Sequence, residues 1–138
     1  MASTASRYFF LFLIGLVMGA VLAVMGLRAL QARQDPFPDS VMHVMQKHTG
    51  LLAKTIEENR CAATDTAPHL RTLRAMTNDL ELAFPGLADD ERFRTHASDF
   101  RAKLDASLAT PPTECASATK VNVSIKESCK ACHQDFRG

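Results

Sequence analysis

Cys129, Cys132 and His133 fall in the stretch Cys129-Lys130-Ala131-Cys132-His133, close to the C-terminus. Cys-x-x-Cys-His is the attachment signature of haem c. Two thiols add to the vinyl groups, and an imidazole that follows at once reaches the iron from the same side. Two rival chemistries share the dithiol. A thioredoxin-like redox pair wants a βαβ setting, which the surrounding residues do not suggest. A tetrahedral zinc site needs two further ligands at sensible spacing. The motif therefore predicts one covalently attached haem c with His133 as proximal iron ligand, a chemistry that serves electron transfer or gas binding.

A helix must carry this motif. Val121, Ile125, Cys129, Cys132 and Phe136 recur at three- and four-residue spacing, so both sulfurs share the apolar face of a final helix that starts near Thr119 or Lys120. Three more helices precede it. Val41, Met45, His48, Leu52 and Ile56 form the stripe of a helix from about Ser40 to Asn59, after a rigid segment Asp35-Pro36-Phe37-Pro38-Asp39-Ser40. Pro68 suits the first turn of the next helix. Its inner face is Leu70, Leu73, Thr77, Leu80 and Phe84, and Pro85-Gly86 ends it. Asp89-Asp90-Glu91 place negative charge at the start of a third, where Phe93, Ala97, Phe100, Leu104 and Leu108 recur before Pro111-Pro112. Strand signals are nearly absent. Short connections make consecutive helices antiparallel neighbours, so residues 35–138 read as an all-α antiparallel four-helix bundle binding one haem c.

Residues 8–27, Tyr8 to Leu27, carry no charge. About 20 such residues cross the hydrocarbon core of a bilayer. The run exceeds the roughly 7–15 apolar residues of a cleavable signal, and Leu30-Gln31-Ala32 is a poor processing site. Residues 1–34 are therefore expected to be a retained membrane anchor. Arg7 before the run and Arg28 and Arg33 after it leave orientation unassigned by charge. Export-side haem attachment assigns it instead, with the haem domain in the periplasm and the anchor in a bacterial inner membrane. Gly15 and Gly19, continued by Ala23, offer a close-packing face for another helix, either a second copy or part of an integral membrane redox complex.

The stretch CKACHQDFR, positions 129–137, resembles the end of the cytochrome c′ and cytochrome c556 family. The resemblance covers roughly positions 36–138 and implies a four-helix bundle with its haem motif in the last helix. Phe136 stands where that family often has Tyr, and Arg137 matches its common basic residue. The anchor departs from the family's usual soluble product. In this family the first-helix residue facing iron separates low-spin electron carriers, with methionine there, from five-coordinate gas binders. Matching His48-Thr49-Gly50 to a His-x-Gly often seen in the family places Met42 at the sixth-ligand position. Met45, one turn on, is the alternative, followed by no protein ligand or a histidine. His48 otherwise reads as capping or packing, His43 as solvent-facing, and His69 and His96 as surface or boundary positions without function.

Cys61 and Cys115 remain once haem claims the other pair. In an oxidising compartment they are expected to form a disulfide between two loops at one end of the bundle.

The whole chain of 138 residues has a formal net charge of +1. Setting aside Arg7, Arg28 and Arg33, three of its 16 basic residues, leaves the rest slightly acidic against 15 Asp and Glu, which excludes a nucleic-acid footprint. No paired carboxylates or nucleophile–base pattern points to catalysis, so no catalytic residue is assigned. The leading expectation is a membrane-anchored c-type cytochrome that transfers electrons as a subunit of, or docked to, a respiratory or photosynthetic complex. A soluble or membrane-bound electron donor or acceptor is a further possible partner. The alternatives are a five-coordinate module for nitric oxide or carbon monoxide and a structural accessory subunit.

Overall fold

A computed structural model describes residues 4–31 and 35–136. Arg33 and Arg137, both used above, lie outside them. The described residues are helical with no strand, and the chain divides into two compact units, Met1–Pro36 and Phe37–Gly138.

The first unit contains α1, Thr4–Gln31. Its stretch Arg7–Leu30 is long and apolar enough to cross a membrane, and none of it is buried within the chain. Nothing lies within 4 Å of a Cβ built on Gly15 or Gly19, so that face is open.

The second unit begins with α2, Phe37–Glu57. It starts three residues before the expected Ser40, because Pro38 sits in the first turn, where an N–H has no helical partner to lose. Asn59 lies beyond the helix rather than ending it. Its φ of 56° is left-handed, the Asn59 N–H reaches the Ile56 carbonyl at 3.0 Å, and the Arg60 N–H reaches that of Thr55 at 3.0 Å. This crossed pair closes a helix around a left-handed residue, which asparagine tolerates better than most.

Next comes α3, Ala63–Met76, with Pro68 inside it rather than at its start. The helix pattern then tightens to a 3-10 turn at Thr77–Asp79 before a short α4, Leu80–Ala83. The break is satisfied from outside. Arg101 donates to the Thr77 carbonyl at 2.8 Å and grips Glu81 through two bonds of 3.1 and 2.7 Å. Its guanidinium thereby holds the Glu81 carboxyl below the usual range.

In α5, Glu91–Ala109, the Asp90 side chain accepts from the Arg92 and Phe93 amides at 2.8 and 3.1 Å. This satisfies two of the orphan donors at the helix start. The last helix, α6, spans Cys115–Phe136 and so begins four residues before Thr119. Cys115 is therefore its first residue, not a loop residue.

α2 packs on α3, α3 on α5, α5 on α6, and α6 returns to α2. Successive contacts between neighbours run in opposite order along the chain. Arg74 meets Asp105 at 2.7 Å, while the later Thr77 meets the earlier Arg101 at 2.8 Å. His96 meets Asp135 at 3.0 Å, while the later Lys103 meets the earlier Ser128 at 2.8 Å. Neighbouring helices therefore run in opposite directions. The core between them is Val41, Met45, Leu52, Leu70, Leu73, Leu80, Phe93, Ala97, Phe100, Leu104 and Ile125. Every expected inner-face residue of α3 and α5 belongs to it or touches it, apart from Thr77, which is buried as a polar side chain and donates to the Arg74 carbonyl at 2.6 Å.

Candidate haem-attachment site

α6 dictates where the motif lies. Ile125 is buried on its inner face, and Cys129, Cys132 and Phe136 follow one turn apart, half-buried against the same core. Both Cys129 and Cys132 are free thiols. Burial pushes the Cys129 thiol up from its usual pKa. Cys132 is pushed up by burial first, then by the neighbouring Cys129 and Asp135. Reactive redox cysteines carry lowered pKa values in electropositive surroundings, so these thiols lack the environment of a dithiol oxidoreductase. Among the described residues no three His, Cys, Asp or Glu side chains group to hold a metal ion, so Cys129 and Cys132 lack the further ligands that a tetrahedral zinc site on this dithiol needs.

His133 points away from the core and is exposed. Met42 packs half-buried at the core edge, whereas Met45 is 7 % exposed and fully inside. His43 is exposed, as its place beside Met42 implies.

Cys61 and Cys115 stand at disulfide distance, with Cα atoms 5.0 Å apart. They tie the turn after α2 to the start of α6. Since those helices pack in opposite directions, the beginning of α2 lies at the same end as the finish of α6. Counting about 19 residues back from Cys61 and forward from Cys115 at equal rise reaches Met42 and Gln134, beside His133. Met42, Cys132 and His133 therefore share one end of this helix pair, and the disulfide lies at the other.

Aromatic rings gather at the motif end. Phe93 meets Phe136 edge-on at 5.6 Å and Phe84 at 6.1 Å, with the Arg92 guanidinium 5.5 Å from the Phe136 ring centre. His96 stacks edge-on to Phe136 at 6.1 Å and bonds Asp135. These contacts hold the last turn of α6, which carries His133. Sequence reasoning set His96 aside as a surface position. Only the fold brings residue 96 to residue 135.

His48 does not cap α2; it sits within the helix, half-buried, and packs against the half-buried His69 of α3, with the two Nδ1 atoms 3.2 Å apart. Two open grooves of the second unit lie elsewhere. The larger, about 750 Å³, is lined by residues including Glu81, Asp89, Asp99 and Arg101, and the smaller, about 300 Å³, by residues including Glu91, His96 and Asp135.

The donor set fits a covalent haem. Two free thiols share an apolar face, a solvent-reaching imidazole follows them, and half-buried Phe37, Met42 and Phe136 offer apolar surface at the edge of the core. No family model, curated protein or solved structure matches the chain.

Proposed function

We propose that the chain is a membrane-anchored cytochrome c of the cytochrome c′/c556 type, an antiparallel four-helix bundle with one haem c on Cys129 and Cys132. It serves electron transfer as a subunit of, or docked to, a respiratory or photosynthetic membrane complex. One observation carries the reading. Cys61 and Cys115 pair at one end of α2 and α6, which leaves Cys129 and Cys132 free on an apolar face at the other, with His133 next in the chain.

Closed packing of α2, α3, α5 and α6 in alternating directions supports the bundle. When bound, haem supplies one-electron redox chemistry at an iron whose potential its axial ligands tune. The chain's own residues hold it. Cys129 and Cys132 fix it covalently, and His133, already outside the core, is free to reach iron. Met42 supplies the sixth ligand, because its flexible thioether is not locked into the core as Met45 is.

The apolar Arg7–Leu30 helix supports a membrane location, and a cysteine pair at disulfide distance suits the oxidising periplasm of a bacterium. The open Gly15 and Gly19 face is the contact for a neighbouring membrane helix.

The test is haem stain after denaturing electrophoresis of protein expressed with haem-attachment machinery. Stain on the wild-type band, lost in Cys129→Ala and Cys132→Ala, is expected. A wild-type band without stain overturns the reading. Recovery of the haem protein only as an isolated monomer from gently solubilised membranes overturns the subunit role.

A further inference from the structure

We propose that His48 and His69 form a chelating site for a borderline divalent transition-metal cation, of which Zn2+, Cu2+ and Ni2+ are the chemical class, on the face between α2 and α3. The two rings come from different helices and are 21 residues apart in the chain. Their Nδ1 atoms stand 3.2 Å apart. A metal about 2.0–2.1 Å from each of two nitrogens sets them roughly 3.3 Å apart at a tetrahedral angle and roughly 2.9 Å apart at a right angle. The observed spacing lies between these limits. The ring centres are 5.4 Å apart with planes tilted by 57°, so each ring turns on binding until both lone pairs meet at one point.

Without metal, one Nδ1–H donates to the other Nδ1. Metal binding needs both Nδ1 lone pairs, so the donor ring moves its proton to Nε2, and neutral imidazoles release no net proton. Both rings are half-buried, so an ion reaches them from solvent while water completes its coordination.

Arg60 lies near His69 and is paired with Glu58 at 2.7 Å and with Asp65 at 3.8 Å, which offsets its charge in part. Asp65 also lies one turn before His69 on the same face of α3. The site is preorganised. The crossed turn at Asn59 closes α2, and Cys61, beside it, is tied to α6. Little freedom remains to be lost when the ion binds.

Zn2+ is the probe, because it carries no redox chemistry. The full chain in detergent is used, with any free thiol alkylated so that Cys129 and Cys132 do not compete. One saturable Zn2+ site is expected, with a rise in melting temperature on binding, since Zn2+ binds the folded pair in preference to the unfolded chain. His48→Gln and His69→Gln should each weaken binding at least tenfold, whereas His43→Gln and His96→Gln leave it unchanged. Zinc-edge X-ray absorption of the wild type should show two imidazoles at about 2.0–2.1 Å. That measurement decides the matter should a variant fail to fold. Absence of a saturable site, binding in His48→Gln or His69→Gln as tight as in the wild type, or fewer than two imidazoles on the metal overturns the proposal.

Discussion

Met42 and Met45 are one helical turn apart on α2 yet differ in packing, with Met45 7 % exposed in the core and Met42 half-buried at its edge. Their substitutions should separate structure from chemistry. Met45→Ala is expected to cost about 2–4 kcal/mol, as buried side-chain truncations do, and to leave the iron spectrum unchanged. Met42→Ala should cost less stability and abolish the methionine–iron charge-transfer band of the ferric protein. Denaturant unfolding and absorption spectra of both variants check this. Survival of the band in Met42→Ala, with its loss in Met45→Ala, would assign the ligand to Met45.

The pair Cys61–Cys115 closes 54 residues of chain. Restriction of the unfolded state predicts that the double change to serine costs up to about 4 kcal/mol. Urea unfolding of the oxidised protein and the double variant measures it. Non-reduced mass spectrometry should find neither cysteine open to alkylation.

Asp90 caps α5 through two amides, so Asp90→Ala should lower stability by about 1 kcal/mol, while Asp90→Asn should lose less. Thermal unfolding compares them. The effect should not extend to nearby Asp89, since the N-cap of α5 is Asp90.

Glu81 contributes a pH-dependent term. Its folded pKa lies below the ordinary 4.5, mainly because Arg101 donates to its carboxylate. The ionised form is therefore favoured in the fold. The stabilisation is full above the unfolded value and is lost as pH falls through the lower folded one. Both side chains are partly exposed, so the gain is about 1 kcal/mol. Glu81→Gln should be less stable than wild type by that amount at neutral pH, with the gap closing in acid. Chemical unfolding at several pH values tests the sign. A gap that widens in acid contradicts it.

The apolar repeats of all four long helices in the second unit were legible, since Val41, Leu52, Leu70, Leu73, Phe93, Phe100, Leu104 and Ile125 occupy their expected inner faces. Starts were less legible. Pro38 and Pro68 read as limits, yet the helices begin before both: Pro38 lies in the first turn, where no helical bond is lost, whereas Pro68 lies inside α3 and forgoes the bond that an N–H there makes to the Thr64 carbonyl. The 3-10 turn at Thr77 had no local signal, because what satisfies its carbonyl is Arg101, more than twenty residues later. The cysteine spacing predicted which pair would meet. It did not predict that His133 stands outside the core, nor that His48 faces His69, because both depend on how helices are rotated against their neighbours.

α1 has a further consequence. Its charge-free run, residues 8–27, is about 30 Å long at about 1.5 Å per residue, against roughly 30 Å of hydrocarbon. Arg7 and Arg28 bound that run. Upright in an average bilayer, the helix would set one guanidinium group at each headgroup layer, and a thicker membrane would draw one of them toward hydrocarbon. The two arginines would thus act as a ruler, set by membrane thickness rather than by any bound partner.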